Sequence, residues 1–347
     1  MSTPALSVLP ERPRLCVVIP CRNEHAFIER CVRSVLSADP AGCDVLVLVS
    51  DGRSDDGTRE VVEALAREHP NVLLVDNAVR TTPHALNLGL QARPFDVGMI
   101  LGAHAELDAG YLRECMAVLR SDLSVGCVGG LITNVHATDL SRRIGLAMAH
   151  PVGVGSAHFR TGARGGYVDT AAFGLYRREV FDRVGWFDED LVRNQDDEFN
   201  FRVTRGGFKI FLTLKATARY HVRATYRRLW RQYFQYGYWK VFVNRKHGTV
   251  TTLRQLVPAL WVQAVVLGTI LLLALPVVRP WVLAVFGLYL LLTGAAAWQA
   301  GGVRDGWGVW RAFAILHAAY GTGYWIGIYH ALLKGIRPTE QHKRLSR

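Results

Sequence analysis

The sequence predicts an α/β protein with a mostly parallel sheet flanked by helices, followed by C-terminal membrane helices. Two observations lead to this prediction. Over roughly the first hundred residues, short runs rich in Val, Ile and Leu alternate with stretches of helical spacing, which is typical of parallel strands joined by helices. Long uncharged apolar stretches then fill the C-terminal part of the chain.

The alternation can be followed element by element. Four short apolar runs are predicted to be strands buried on both faces, namely Leu15 to Pro20, Asp44 to Ser50, Asn71 to Asp76 and Asp96 to Leu101. The stretches between them have helical spacing and cover His25 to Ser37, Thr58 to His69 and Pro83 to Ala92. Because ligands bind beyond the carboxyl ends of strands in an open sheet, we expect the chemistry in the residues after each run.

The amino-acid composition limits the classes of protein and partner that are possible. The chain has 347 residues, 50% of them hydrophobic, so it can bury a large core and is not a disordered chain. A net charge of +12 favours a phosphate-bearing partner such as nucleic acid, anionic lipid or a nucleotide-linked substrate. The 6 cysteines form no C-x-x-C pair, which favours reduced thiols.

Three uncharged apolar stretches are each long enough to cross a bilayer, namely Gln255 to Val278, Pro280 to Val303 and Ala312 to Leu333. The N-terminus has no apolar signal segment, so the part before about residue 250 is expected in the cytoplasm. Basic residues lie before the first stretch and after the last one, and the positive-inside rule places both of these flanking segments on the cytoplasmic side. A hairpin turning at Arg279 and Pro280 satisfies this, with the third stretch re-entrant or interfacial. Three full crossings with the tail outside remain the alternative.

These patterns predict five regions. We expect a flexible N-terminus at 1–14, a catalytic domain at 15–222, an amphipathic interfacial helix at 223–250, membrane helices at 251–334 and a basic cytoplasmic tail at 335–347. The protein is therefore expected to be a multi-pass protein of the inner or plasma membrane, with its catalytic domain in the cytoplasm.

Unusual polar segments follow the predicted strands: Pro20 to Glu24, Asp51 to Thr58 and Gly102 to Glu106. None contains the G-x-G-x-x-G or P-loop pattern. The first two segments and Asn194 to Arg202 resemble, in order and spacing, the signature blocks of glycosyltransferase family 2, especially its ExoA-like exopolysaccharide branch. The resemblance covers roughly residues 15 to 240. It implies a GT-A fold and an inverting, metal-dependent hexosyltransferase.

The resemblance assigns donor and metal sites. Asp51 would accept the ring N–H of uracil, with further nucleotide-sugar contacts from Pro20, Arg22, Glu24, Gly52, Ser54 and Ala103. An ordinary Asp-Gly turn is the alternative for this segment. The family's D-x-D motif reads Gly102-Ala103-His104, so its first acid is absent. His104 and His221 are the expected ligands of Mn²⁺ or Mg²⁺, with structural histidines as the alternative.

The acceptor side is assigned in the same way. Asp196 stands at the family's catalytic aspartate and is expected to be the general base; an acidic helix start is the alternative, and both can be true at once. Asp197 and Glu198 would orient the acceptor and raise the pKa of Asp196. Arg202 either contacts diphosphate or pairs with Glu198, one helical turn away. Arg228, Arg231 and Gln232 are candidates for diphosphate contacts, or belong to an amphipathic helix that snorkels in the headgroup layer.

The sequence therefore predicts a membrane-anchored enzyme that moves one sugar from a nucleotide sugar, a UDP-sugar by preference, onto a polyprenyl-diphosphate-linked saccharide. The expected partners are this donor, the lipid-linked acceptor and the lipid bilayer. Nucleic acid is not expected, because the apolar stretches adjoin the aromatic and basic segment at 226–240. The alternatives are a subunit of a processive polysaccharide synthase, or a catalytically silent relative that binds lipid or assists assembly.

Overall fold

The computed structural model describes residues 6–222 and 225–336. These residues form two compact units. The first holds the described residues up to Thr133 together with His158–His221, and the second holds Asn134–Ala157 and the described residues from Val222 onward. Most of the predicted basic tail lies outside the described residues.

The described chain alternates strands and helices before becoming entirely helical. The strands are β1 (Arg14–Cys21), β2 (Asp44–Asp51), β3 (Val72–Asp76), β4 (Val97–Ile100), β5 (Ala105–Leu107), β6 (Val125–Val135), β7 (Gly166–Val168), β8 (Ala172–Arg177) and β9 (Lys209–His221). The helices are α1 (Ile28–Leu36), α2 (Thr58–Glu68), α3 (Thr82–Gln91), α4 (Tyr111–Ser121), α5 (Asp139–Met148), α6 (Pro151–Val154), α7 (His158–Thr161), α8 (Arg178–Val184), α9 (Gln195–Arg205), α10 (Tyr226–His247), α11 (Val257–Ala274) and α12 (Arg279–Ile328).

The strands in the described chain form one mixed sheet in the order β3-β2-β1-β4-β8-β6-β9-β5, with β7 paired to β9. The first four strands are parallel, as predicted from their apolar runs. The pairs β4–β8, β6–β8, β5–β9 and β7–β9 are antiparallel, a half of the sheet that the sequence did not predict. Neighbouring β1 residues such as Val17 and Val18 belong to different core clusters of buried apolar side chains, which fits strands covered on both faces.

The described part of the predicted N-terminal region contacts the first unit. Leu6 is buried in one of the core clusters, and the Arg177 guanidinium donates to the carbonyl oxygen of Ser7 at 2.8 Å. These two contacts hold Leu6 and Ser7 against the first unit, because burial and hydrogen bonding offset the entropy lost on ordering.

The second unit contains a segment that the sequence placed in the catalytic domain. Helix α5 packs on α12, where the buried carboxylate of Asp305 pairs with both Arg142 and Arg143. Helix α12 is interrupted at Gly302, whose φ of 59° and ψ of −163° are not helical. We call residues 280–301 its proximal half and residues 303–328 its distal half.

Glycines let α10 and the distal half of α12 approach backbone to backbone. A Cβ added at Gly237 would lie 2.0 Å from the Tyr320 carbonyl oxygen, and one at Gly323 would lie 2.1 Å from that of Phe234. The aromatic side chains Tyr238 and Trp239 of α10 are buried. The predicted interfacial helix therefore uses much of its aromatic face for packing inside the second unit.

Two stretches in the described chain are long and apolar enough to cross a membrane, Leu253–Ala274 and Pro276–Leu333. Many large apolar side chains of α11 and of the proximal half are exposed, among them Leu273, Trp281 and Leu291. The distal half differs, since Val309, Phe313 and Leu316 are fully or almost fully buried.

Candidate active site

The carboxyl ends of three neighbouring parallel strands bring the predicted donor segments together. Cys21 at the end of β1 is in register with Asp51 at the end of β2, and β4 lies on the other side of β1. The amide of Gly52 donates to the carbonyl oxygen of Cys21 at 2.9 Å. The loops after β1, β2 and β4 thus share one edge of the sheet, where an α/β protein binds ligands.

Asp51 orders the second of these loops. Its side chain is fully buried. Its carboxylate accepts from the Ser54 amide at 3.1 Å and from the Ser54 hydroxyl at 2.5 Å. An uncharged neighbour, the thiol of Cys21, lies 3.7 Å away, and burial raises the pKa of this thiol far above its usual range. In this structure Asp51 holds the loop, and contact with a nucleobase would require the covering groups to move.

A hydrogen-bonded link joins the first loop to the second. The Asn23 amide donates to the hydroxyl of Ser54 at 2.9 Å, and its side-chain amide donates to Asp55 at 2.8 Å. Asn23 adopts a φ of 56°. The sequence analysis gave this residue no role, although its position directly after a strand and the tolerance of Asn for positive φ could have indicated a turn.

Gly52 has no positive φ, but it lets the side chain of Arg22 approach closely. A Cβ at this position would lie 3.2 Å from the Cβ of Arg22, so Arg22 lies directly over the Asp51-Gly52 turn. Pro20 is half-buried and pairs in register with Ser50. Both residues lie at the predicted edge, beside the loop that Asp51 organises.

The third loop brings His104 close to Glu24. The His104 Nδ1 lies 3.6 Å from the Glu24 carboxylate, and both side chains are partly exposed. Ala103 is buried in the core, so its methyl group faces the interior and not a ligand. At Gly102 an added Cβ would have Phe173 at 3.6 Å as its nearest neighbour, an ordinary contact. Space therefore does not explain the missing acid.

His221 is hydrogen-bonded to a different carboxylate, that of Glu106. It lies opposite His104, since its amide donates to the His104 carbonyl oxygen at 3.2 Å. Its Nε2 lies 2.6 Å from Glu106, which also pairs with Arg219 at 3.3 Å. In the described chain no group of three His, Cys, Asp or Glu side chains is arranged to hold a metal ion. His104 with Glu24 therefore offers two donors, and His221 is engaged elsewhere.

Helix α9 presents its acidic residues at its N-terminus, where the helix dipole favours them. Asp196 is exposed and Asp197 is half-buried. The Asp197 amide donates to the Asp196 carboxylate at 2.9 Å. The Asn194 cap has a φ of 59°, and the Oε1 of Gln195 is buried without a hydrogen-bond partner.

Glu198 and Arg202 form the intrahelical pair that the sequence allowed as their alternative role. Glu198 is fully buried, and its carboxylate lies 2.9 Å from the Arg202 Nε. Arg202 also donates to the carbonyl oxygens of Val184 and Trp186. Because Glu198 has no exposed surface, it fixes α9 to the chain before it and does not reach an acceptor in this structure.

Hydrogen bonds tie the middle and the C-terminal half of α9 to the sheet unit. Its C-terminal half is held at Val184 and Trp186, beyond α8. Its middle is held at Asn200, which bonds the Tyr176 hydroxyl on β8 at 2.9 Å and the Thr170 hydroxyl just before β8 at 2.9 Å. Since β8 is antiparallel to β4, the start of β8 adjoins the end of β4. Asn200 therefore links α9 to the segment that precedes β8, beside the end of β4.

The remaining predicted acceptor residues belong to the second unit. Arg228 and Arg231 on α10 are exposed, and the Gln232 side-chain amide donates to the Tyr236 hydroxyl at 2.9 Å. Trp230 beside them is also exposed. The first turns of α10 thus keep the basic and aromatic character that the sequence predicted for a headgroup-binding helix.

Residues 16–185 match the family described as Glycosyl transferase family 2. The chain is 30% identical over 319 residues to the succinoglycan biosynthesis protein ExoA of Rhizobium meliloti, covering 89% of this chain and 93% of that one. It is 25% identical over 239 residues to a dolichyl N-acetyl-alpha-D-glucosaminyl phosphate 3-beta-D-2,3-diacetamido-2,3-dideoxy-beta-D-glucuronosyltransferase of Methanococcus voltae, covering 67% of this chain and 74% of that one.

A solved structure has a similar fold. It is the mannosyltransferase PcManGT from Pyrobaculum calidifontis, in complex with GDP-Man and Mn²⁺. The TM-score is 0.64 at 19% identity, and the match covers 93% of this chain and 90% of that one. The likeness extends over most of both chains and confirms the GT-A fold that the signature blocks imply.

Proposed function

Because this chain belongs to glycosyltransferase family 2, we propose that it is an inverting hexosyltransferase that moves a single sugar from a UDP-sugar to a polyprenyl-diphosphate-linked saccharide. The names of two relatives support this reading. One takes part in succinoglycan biosynthesis, and the other is a transferase whose name places its acceptor sugar on dolichyl phosphate.

The observation that carries the proposal is the exposed Asp196 carboxylate at the start of α9, a helix that Asn200 ties to the segment before β8, beside the end of β4. In the proposed reaction Asp196 accepts the proton of the acceptor hydroxyl. The hydroxyl oxygen bonds to the anomeric carbon as the bond to the nucleoside diphosphate breaks on the opposite face. This displacement inverts the anomeric configuration, and the diphosphate leaves with the electron pair.

The donor is placed at the loops after β1, β2 and β4. A nucleobase would displace the Ser54 hydroxyl from Asp51 and donate its ring N–H to that carboxylate, which keeps lone pairs for more than one donor. Arg22 lies over the turn at Gly52 and is placed to contact the nucleotide when it moves. Ala103 would take part only through its backbone, since its side chain is in the core.

A divalent cation, Mn²⁺ or Mg²⁺, fits this edge only if the diphosphate of the donor supplies further ligands. His104 and Glu24 supply one imidazole nitrogen and one carboxylate, and oxygens of the diphosphate would complete the coordination. The bound cation would neutralise charge on the diphosphate. His221 would join only if its bond to Glu106 broke.

For the membrane we propose a hairpin made of α11 and the proximal half of α12, whose apolar side chains are exposed. The distal half is excluded from this proposal, since apolar side chains such as Val309, Phe313 and Leu316 are buried within the second unit. Two crossings leave both flanking basic segments on one face, which the positive-inside rule assigns to the cytoplasm. The exposed Arg228 and Arg231 would then contact lipid headgroups or the acceptor diphosphate.

The test is a transfer assay with the full-length protein in lipid vesicles. UDP-sugars and GDP-sugars are offered with a polyprenyl-diphosphate-linked saccharide, with Mn²⁺, with Mg²⁺ or with a chelator, and the released nucleoside diphosphate is measured. We expect release from a UDP-sugar that depends on the acceptor and falls at least about tenfold with chelator. Acceptor-dependent release of GDP alone would contradict the UDP assignment. No release under any condition would favour a silent relative, as Gly102 and Gln195 suggest.

A further inference from the structure

A guanidinium near the loops of the predicted donor site has no counter-charge among the residues that the structure describes. Arg160 on the short helix α7 is half-buried, and its Nη1 is buried without a hydrogen-bond partner in the described chain. It forms no ion pair with any described residue. Buried polar groups are almost always bonded, so an unpaired guanidinium nitrogen needs an explanation. The neighbouring His158 has a similar atom, since its Nδ1 is also buried and unpartnered.

The Arg160 guanidinium lies over two aromatic rings. Its guanidinium carbon lies 5.3 Å from the centroid of the Tyr220 ring and 5.6 Å from that of Phe159. The imidazole of His104 lies 4.9 Å from the same Tyr220 ring, edge to face. A guanidinium stacked on aromatic rings is oriented while its N–H groups stay available to an anion. Arg160 and His104 are thus held by a shared side chain at one site.

We propose that Arg160 binds the diphosphate of the nucleotide-sugar donor and stabilises the charge of the leaving nucleoside diphosphate. The inference rests on the proposed function. His104 and Glu24 offer a cation only two protein donors, and the family's first acid is replaced by Gly102. A planar guanidinium that donates to two phosphate oxygens supplies the charge that this reduced site lacks. The donor is favoured over the acceptor because Arg160 and His104 contact the same Tyr220 ring, and His104 follows β4, one of the strands whose loops are predicted to bind the donor.

The test compares the wild-type protein with Arg160→Met in calorimetric titrations with UDP, GDP, UMP and uridine. We expect Arg160→Met to weaken UDP binding about 10- to 100-fold, to weaken UMP binding less, and to leave uridine binding unchanged. Arg160→Lys should keep part of the affinity for UDP, since a lysine retains the positive charge but lacks the planar arrangement of N–H donors that binds two phosphate oxygens. Arg164→Met, at an exposed arginine of the following loop, is the matched control.

Three results would overturn the inference. Wild-type protein that binds neither UDP nor GDP would overturn the proposed function together with this role. Wild-type affinity for UDP retained in Arg160→Met would overturn the role of Arg160 alone. A titration with geranyl diphosphate tests the other source of diphosphate: if Arg160→Met lost affinity for geranyl diphosphate and kept it for UDP, the residue would belong to the acceptor site.

Discussion

Replacing Asp196 by asparagine is expected to lower the rate of sugar transfer by about a thousandfold, within the range lost when a general base is removed. Asparagine keeps a side-chain oxygen that can accept from the Asp197 amide, the bond now made by Asp196 at 2.9 Å. The start of α9 should therefore stay intact, with a free energy of unfolding within about 0.5 kcal/mol of the wild type. The measurement is the single-turnover rate at saturating donor and acceptor.

The neighbouring Asp197→Asn is the matched control, because it removes an equal charge from the same helical turn. We expect its transfer rate to fall less than about tenfold, since a residue that only orients the acceptor does not take the proton. Donor binding should be the same in both variants and in the wild type. Equal rates for Asp196→Asn and the wild type would remove Asp196 as the base.

Replacing Arg202 by methionine is expected to destabilise the first unit by about 3 kcal/mol, because it removes the guanidinium that lies 2.9 Å from the buried Glu198 carboxylate. The carbonyl oxygens of Val184 and Trp186 also lose their donor. Methionine retains an apolar side chain of similar length over the Phe199 ring, which Arg202 now covers. Chemical denaturation gives the free energy of unfolding.

The control for this change is Arg205→Met, which removes an exposed arginine from the same helix. Its cost should stay within about 0.5 kcal/mol. The double variant Glu198→Leu, Arg202→Met should be more stable than Arg202→Met alone, because the buried carboxylate is then removed together with the guanidinium that neutralises it. An Arg202→Met protein as stable as the wild type but with weakened acceptor binding would instead support the diphosphate role first considered for Arg202.

The parallel half of the sheet was predictable because its strands are buried on both faces. Such strands appear in the sequence as uninterrupted apolar runs, and β1, β2, β3 and β4 were located within a few residues. The antiparallel half has shorter or more polar strands, and its pairing depends on contacts far apart in the chain. His221 illustrates this, since its bond to Glu106 joins residues 115 positions apart. A local pattern cannot reveal that His221 is already engaged.

Two aspartates of the signature blocks differ in burial, which the sequence alone could not reveal. Asp51 and Asp196 both follow the family pattern, yet the first is fully buried under Ser54 and the second is exposed. The difference arises from loop geometry, because Asn23 and Gly52 close the turn around Asp51. Arg160 gave no signal in the sequence, since its stacking on Tyr220 becomes visible only when α7 and β9 are placed together.

The central claim is that the loops after β1, β2 and β4 bind one nucleoside diphosphate at a shared edge. Amide hydrogen exchange of the full-length protein in vesicles, with and without UDP and Mn²⁺, tests this most directly. We predict slower exchange with UDP in the segments 20–25, 51–58 and 102–106 together. Binding of UDP that slowed exchange only in other segments, leaving these three unchanged, would contradict the account.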